Sequence, residues 1–431
     1  MTGTFVRREH DKIDLSADRL WNGPADERDA LLAQLRHERP VSWQRPIRSP
    51  LMSLLGQEDP PGYWAVVRHE DIVTISRHPD AFSSAVGGVT FEELPPEVLE
   101  VSSSILAMDA PRHGKIRRIV SSVFTPRRLQ LIGNQIVNQA RLIVDDIVGC
   151  RDGVEFVSRV AAQLPMWTVS EMVGIPEEAR RHVTTSANAV IGWDDDENTA
   201  GAEPLTAMFN GISSLHEQCQ QIIDARRRKP EDDLITALIQ AEVDGHRLTD
   251  GEIKAFFALL CIAGNDTTKQ TTTHTVRALS LYPGQRAYLL EDFDSRIDTA
   301  IEEFLRWASP VMTFRRTALQ RFELCGATIE PGDKVVMFYN SANRDSSVFA
   351  DPGRFDLTRK PNPHLAFGGG GPHFCLGSHV AKLQLRAIVG ELYRRLPDIE
   401  VVGEPEYLTS TFINGIKRQY VGFTAKSETW R

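Results

Sequence analysis

The sequence predicts a mainly α-helical protein with a minor β share, on three observations. Helix-like periodicity dominates from about Arg112 to about residue 309. Within that span, a helical pattern of more than thirty residues runs unbroken from Thr249-Asp250-Gly251-Glu252 to Pro283-Gly284. Strand-like runs rich in β-branched and aromatic residues lie outside it, before residue 80 and after residue 310.

In chain order, Tyr63 to Val67 reads as a strand, and residues 82–107 read mostly as loop. The spacing predicts helices over Arg112 to Val123, Glu155 to Val173, His182 to Ile191, Met208 to Arg227 and Asp233 to Val243. The long segment opens with a Thr-x-x-Glu capping box. At 1.5 Å per residue it spans about 50 Å and must cross the molecule. Its first half is apolar (Phe256, Phe257, Leu259, Leu260, Ile262), so it is expected to be buried. Val311 to Ala318 and Lys334 to Tyr339 read as strands, with Pro331-Gly332 punctuating the approach to the second. Tyr407 to Phe423 reads as a strand pair around Asn414-Gly415. Pro/Gly-rich stretches near Pro46–Pro61 and Asp194–Pro204 are short, so one domain over 1–431 is expected. Its strand-rich lobe would be drawn from about 40–80, 311–340 and 400–425.

The composition, 41% hydrophobic and 25% charged, is that of a soluble globular chain. The net charge of -9 argues against nucleic acid as a partner. The start, MTGTFVRREHDK, is too polar for a signal peptide, and the most apolar run, Ala255 to Gly264, is too short to span a bilayer. Five scattered cysteines without CxxC spacing point to a reducing compartment, hence a cytoplasmic protein.

The richest motif is Phe367-Gly368-Gly369-Gly370-Gly371-Pro372-His373-Phe374-Cys375-Leu376-Gly377. Four glycines allow a backbone to pass close to a large flat object. Cys375 then precedes a predicted helix, a position that favours the thiolate that binds metals. A second motif, Ala263-Gly264-Asn265-Asp266-Thr267-Thr268, puts an acid and hydroxyls in a buried helix, which is costly unless they are hydrogen-bonded. The Thr267 hydroxyl can compete for a carbonyl one turn back.

Both motifs resemble those of the cytochrome P-450 family. The resemblance implies the fold of that family, with the long helix over a buried haem b and Cys375 as the axial ligand of its iron. Gly368, Gly371 and Gly377 occupy family positions in the loop. Phe367 stands eight residues before Cys375 where the family usually has seven, as in some bacterial members that oxidise lipids. Ala263 and Gly264 would line an opening in the helix where O2 binds, Thr267 would hydrogen-bond the oxygen, and Asp266 would relay protons. Further likeness implies that His113, Arg117, Arg316 and His373 hold the haem propionates, with Arg315 the nearest competitor for the role of Arg316. Glu303 and Arg306, three apart, would join Arg354 in a structural network bracing the cysteine loop.

Arg112, Lys115, Arg117, Arg118, Arg127, Arg128, Lys382 and Arg386 form a basic set. This set is either a solvated face or, as the resemblance implies, the docking surface of a ferredoxin-type donor supplied with NAD(P)H electrons through a reductase. Val89, Phe91, Ala263, Thr267, Val311, Phe314, Phe412 and Ile413 are candidate pocket residues for a small hydrophobic substrate. Asp194 to Glu197 is a mobile lid or a solvated turn. The function expected is monooxygenation of a lipid-, steroid- or terpenoid-like C–H bond. Epoxidation, desaturation or coupling by the same oxidant, and non-catalytic haem sensing, are the alternatives.

Overall fold

The computed structural model describes residues 8–17, 20–21, 25–47, 61–91, 104–150, 153–192 and 203–424. The proposed lid at Asp194–Glu197 lies outside the described residues.

A five-stranded sheet forms from β1 (Val41–Gln44), β2 (Tyr63–Val66), β3 (Phe82–Ser83), β5 (Thr313–Ala318) and β8 (Lys334–Phe338), in the order β1-β2-β8-β5-β3. Only the β2–β8 pair is parallel. β4 (Val154–Glu155), β9 (Glu400–Tyr407) and β10 (Ile416–Gly422) make a second sheet, in the order β4-β10-β9. β6 (Phe322–Leu324) and β7 (Ala327–Ile329) form a separate hairpin. The expected single lobe is therefore two sheets, because Glu155 and Val154 recruit β10 to the helical side of the molecule.

The helices are α1 (Asp26–Glu38), α2 (His69–Arg77), α3 (Arg112–Val123), α4 (Pro126–Ile147), α5 (Gln163–Val173), α6 (Glu177–Ile191), α7 (Pro204–Arg228), α8 (Leu234–Gln240), α9 (Asp250–Leu281), α10 (Pro283–Glu291), α11 (Phe293–Ala308), α12 (Tyr339–Ala342) and α13 (Ser378–Arg395). α9 is the expected long helix, and both halves of its capping box are made. Thr249 Oγ1 accepts from the Glu252 N–H at 3.2 Å, and Glu252 Oε2 accepts from the Thr249 N–H at 3.0 Å. α9 packs against α5, α6, α7, α11 and α13, and so divides the helical core.

Several expected boundaries move, and three of them bear on the fold; the helices expected from His182 and Met208 begin earlier, at Glu177 and Pro204. The helix expected from Glu155 starts later. Glu155 pairs with β10 instead, and its carboxylate accepts the N–H groups of Val157 and Ser158, opening a π-helical turn over Val157–Ala161. The helix expected to reach Val243 ends at Gln240. Asp244 and Gly245 both take positive φ and turn the chain so that Val243 pairs with His246. At the C-terminus, Asn414-Gly415 is not a two-residue turn. The strands are Glu400–Tyr407 and Ile416–Gly422, and residues 408–415 leave the sheet between them.

Candidate active site

The cysteine loop is seated by its glycines on the last turn of α2. A Cβ on Gly369 would lie 2.5 Å from Ser76 Oγ, and one on Gly371, which takes φ +71°, would overlap the Ser76 carbonyl. The glycine run thus serves packing against α2, a role sequence alone did not suggest. The Cys375 N–H donates to the Phe367 carbonyl at 3.0 Å and closes the loop, so the extra residue leaves this register intact. The Phe367 ring lies beside Phe374 and under the Lys382 ammonium.

The backbone N–H groups of Gly377 and Ser378, at the start of α13, point at Cys375 Sγ. Burial pushes the thiol up all the same, against those donors and Arg117. The Cys375 side chain keeps accessible surface.

His113 and Arg117 on α3, Arg316 on β5 and His373 in the loop come together beside Cys375. The two imidazoles lie 4.2 Å apart between centroids. Arg117 Nη2 donates to the Phe374 carbonyl at 2.5 Å, and Ser84 Oγ meets His373 Nε2 at 3.2 Å. Burial, then Arg316, His113 and Arg117, pushes His373 down to about 3; burial, then Arg117, also lowers His113. Asp109, held by the Ser83 hydroxyl and the Ser84 N–H, is the carboxylate acting on this group. Two guanidinium groups thus face one carboxylate, and His113 Nε2 is buried without a hydrogen-bond partner. Such a cluster calls for a further anion. Strand alternation settles the choice between neighbours: Arg316 faces this cluster, whereas Arg315 donates to the Gly87 carbonyl and to Thr317 Oγ1.

On α9, Gly264 is required by the crossing of α5, since a Cβ would lie 2.9 Å from Val169 Cγ2. Thr267 Oγ1 donates to the Ala263 carbonyl at 2.8 Å. The helix is continuous from Asp250 to Leu281, and the Thr267 side chain takes the Ala263 carbonyl. Ala263 is exposed in the middle of a largely buried helix. Asp266 is buried and paired with Lys269 one turn on. Lys269 escaped sequence reading, although its i,i+3 spacing was the available signal.

Glu303 and Arg306 are both fully buried. Arg306 binds Glu303 in bidentate fashion (2.7 and 2.8 Å) and also donates to the carbonyls of Asn343, Pro352 and Arg354. Glu303 accepts in addition from the Asp356 N–H and Asn362 Nδ2. Its second guanidinium is that of Arg359 at 3.3 Å, not that of Arg354. Arg354 contributes only its carbonyl and turns its side chain outward, because the Asp351–Arg354 turn presents that residue to solvent. Asn343 Oδ1 accepts the Leu365 N–H at 2.7 Å, which ties the network to the segment entering the loop.

The basic set is largely neutralised. Arg112, Arg118, Arg128, Lys382 and Arg386 pair with Glu252, Asp244, Asp232, Glu302 and Asp298, and Arg117 points inward. Among the candidate pocket residues, Phe91 is core: it packs edge-on against Trp21, Tyr63 and Phe338. Val89 is also buried, its carbonyl accepting the Arg315 N–H. Val311 pairs with Ile413 across a β-bridge, and Phe314 meets Phe412 edge-on at 5.4 Å, so these two apolar segments lie side by side, with Ile413 itself buried.

The family model for cytochrome P450 matches residues 203–397. A methyl-branched lipid omega-hydroxylase of Mycobacterium tuberculosis is 40% identical over 94% of this chain and 93% of its own length. The chain belongs to the cytochrome P450 family. A steroid C26-monooxygenase of Rhodococcus jostii is 37% identical over 92% of this chain and 82% of its own length. The structure of a Mycobacterium marinum cytochrome P450 in complex with pseudoionone superposes with a TM-score of 0.91 at 49% identity, covering 97% of this chain and all of the other. A Bacillus megaterium P450 in complex with testosterone gives 0.78 at 26% identity, over 91% and 98%. The chain is therefore a P450 monooxygenase, and membership implies haem iron and O2. The residues present fit that group: among the described residues the two guanidinium groups of the cluster face only Asp109, and Cys375 keeps accessible surface beside them. Among the described residues, no helix is long and apolar enough to cross a membrane.

Proposed function

We propose that this P450 inserts one oxygen atom from O2 into a C–H bond at or near the end of a lipid- or terpenoid-like molecule. The observation that carries this reading is the apolar wall of Val311, Phe314, Phe412 and Ile413. Such a wall recognises hydrocarbon and offers no charge to bind polar substrates. The reaction names of the lipid and steroid relatives and the ligands of the structural neighbours support the same class.

In this reading haem b, when bound, supplies O2 binding and activation. Cys375 Sγ would hold its iron, with Gly368, Gly371 and Gly377 shaping the loop around the sulfur. His113, Arg117, Arg316 and His373 hold the propionates, a role matched by the unpartnered His113 Nε2. Asp266 leaves Lys269 to carry a proton inward, and Thr267 Oγ1 leaves the Ala263 carbonyl to donate it. Thr267→Ala is expected to cut product formed per NADPH consumed by on the order of tenfold, with peroxide released instead. Unchanged coupling would remove Thr267 from the proton path.

Electrons come from a ferredoxin-type donor. Among the described residues, Lys115 and Arg127 are exposed with no carboxylate pairing recorded, so they carry what remains of the basic face. Lys115→Ala with Arg127→Ala is expected to weaken donor-dependent kcat/KM at low salt and to lose that effect at high salt. A salt-independent result would return both to ordinary surface.

The substrate reading is tested by titrating fatty acids, steroids and terpenoids while following the haem absorption shift, then mapping the oxidised carbon by mass spectrometry. Binding and in-chain or terminal hydroxylation of at least one class is expected. A response confined to polar compounds would overturn the reading.

A further inference from the structure

We propose that Gln270 and His274 are positioning residues that set which carbon of the substrate is oxidised, by holding the 408–416 segment at a fixed height along the central helix. This rests on the pocket reading above. The second half of α9 is buried yet polar, and two of its side chains grip the backbone of that segment. The Gln270 amide makes both of its bonds to one residue: Oε1 accepts the Ile416 N–H at 2.8 Å and Nε2 donates to the Ile416 carbonyl at 3.2 Å. It thereby imitates a neighbouring strand. His274 Nε2 lies 3.0 Å from the Asn414 carbonyl. A carbonyl can only accept, so Nε2 carries the proton. Burial pushes this imidazole down to about 4, so it stays neutral near neutral pH.

The spacing makes the grip register-specific. Four residues on a helix advance about 6 Å, and two residues of extended chain advance about 6.6 Å. Gln270 and His274 therefore meet Ile416 and Asn414 in one register; a one-residue slip would break both contacts. Thr267, Gln270 and His274 stand at i, i+3 and i+7, on one face of α9. The grip thus lies on the helix face that carries Thr267, displaced along the axis by about 4.5 and 10.5 Å.

The other edge of the segment is zipped to the end of α11 and the approach to β5. Asn414 donates through N–H to the Pro310 carbonyl at 3.0 Å and through Nδ2 to the Ala308 carbonyl at 2.7 Å. The Met312 N–H donates to the Phe412 carbonyl, and Thr313 Oγ1 to the Thr411 carbonyl. Gly415 allows the closure, since a Cβ there would lie 2.9 Å from Leu408 Cβ. Phe412 and Ile413 are consequently held between two anchors. The α9 anchor ties them directly to the helix that carries Thr267, whereas the other reaches it through α11. Loss of that anchor lets the wall shift against the oxidising centre, and a displacement of about 1 Å is enough to change which carbon reacts.

The test uses the holoenzyme with its electron-transfer system and two probes, hexadecanoic acid and pseudoionone. His274→Phe and Gln270→Met, which keep bulk but lose the grip, are expected to change the ratio of terminal to in-chain products about fivefold or more, with the thiolate spectrum of the reduced CO complex retained. His274→Gln, whose amide can still donate, is expected to stay within about twofold of the parent ratio. Phe412→Ala is the control and should change the ratio by itself. Parent-like ratios in both His274→Phe and Gln270→Met, while Phe412→Ala changes the ratio, would overturn the inference alone. An unchanged ratio in Phe412→Ala as well, or no oxidation of either probe by the parent, would overturn the pocket reading and the inference with it. Should His274→Phe not fold, Gln270→Met against His274→Gln decides: equal ratios in the two count against the grip.

Discussion

Cys375→Ser is expected to yield a folded protein whose reduced CO complex has lost the thiolate absorption and whose substrate oxidation has fallen to background. The loop should survive, because it is closed by the Cys375 N–H on the Phe367 carbonyl and seated by Gly369 and Gly371 on Ser76, none of which uses the sulfur. The chemistry should not. A serine hydroxyl is a far weaker acid than a thiol and a harder, poorer ligand for haem iron. Absorption spectra of the dithionite-reduced, CO-saturated variant decide the matter. A retained thiolate signature would remove Cys375 as the ligand.

Arg306→Ala is expected to destabilise the protein by about 3–5 kcal/mol and to impair haem retention. The substitution strands the buried Glu303 carboxylate and leaves the carbonyls of Asn343, Pro352 and Arg354 without their guanidinium donor. Asn343 also holds the Leu365 N–H, so the damage propagates into the segment that carries Cys375. Arg306→Lys should not restore stability, because an ammonium cannot reproduce the planar fork. Arg354→Ala, at an outward-facing side chain, should stay within about 0.5 kcal/mol of the parent, while Arg359→Ala should fall between the two. Denaturant unfolding of the four variants ranks them. Equal losses at Arg354 and Arg306 would mean that the network is drawn wrongly.

Much of the fold was legible because its signals are local. The capping box at Thr249 and Glu252 needs only residues three apart, and the helical period up to Pro283-Gly284 needs only its own neighbours. The bond from Thr267 to the Ala263 carbonyl could be expected for the same reason. The misses share a different cause. Glu155 left the helical pattern because β10, more than 260 positions later, offered Tyr420 as a strand partner. Arg359 rather than Arg354 reached Glu303 because the intervening turn decides which side chain points inward. Phe91 went to the core because Trp21, Tyr63 and Phe338 surround it. The basic face lost most of its charge to acids from other elements, such as Asp244 and Glu302.

The sequence by itself determined the elements and the reactive inventory: a thiol in a glycine-rich turn, imidazoles and guanidinium groups at helical and strand spacing, and an acid–hydroxyl pair in a buried helix. Those are properties of residue type and short spacing. The tertiary structure alone decided which charges face one another. Pairing energy falls with distance and rises with burial, and both are set by chain segments that meet only when folded. That is why two arginines and two histidines gather with Asp109 beside Cys375, and why Gln270 and His274 grip a segment some 140 residues away.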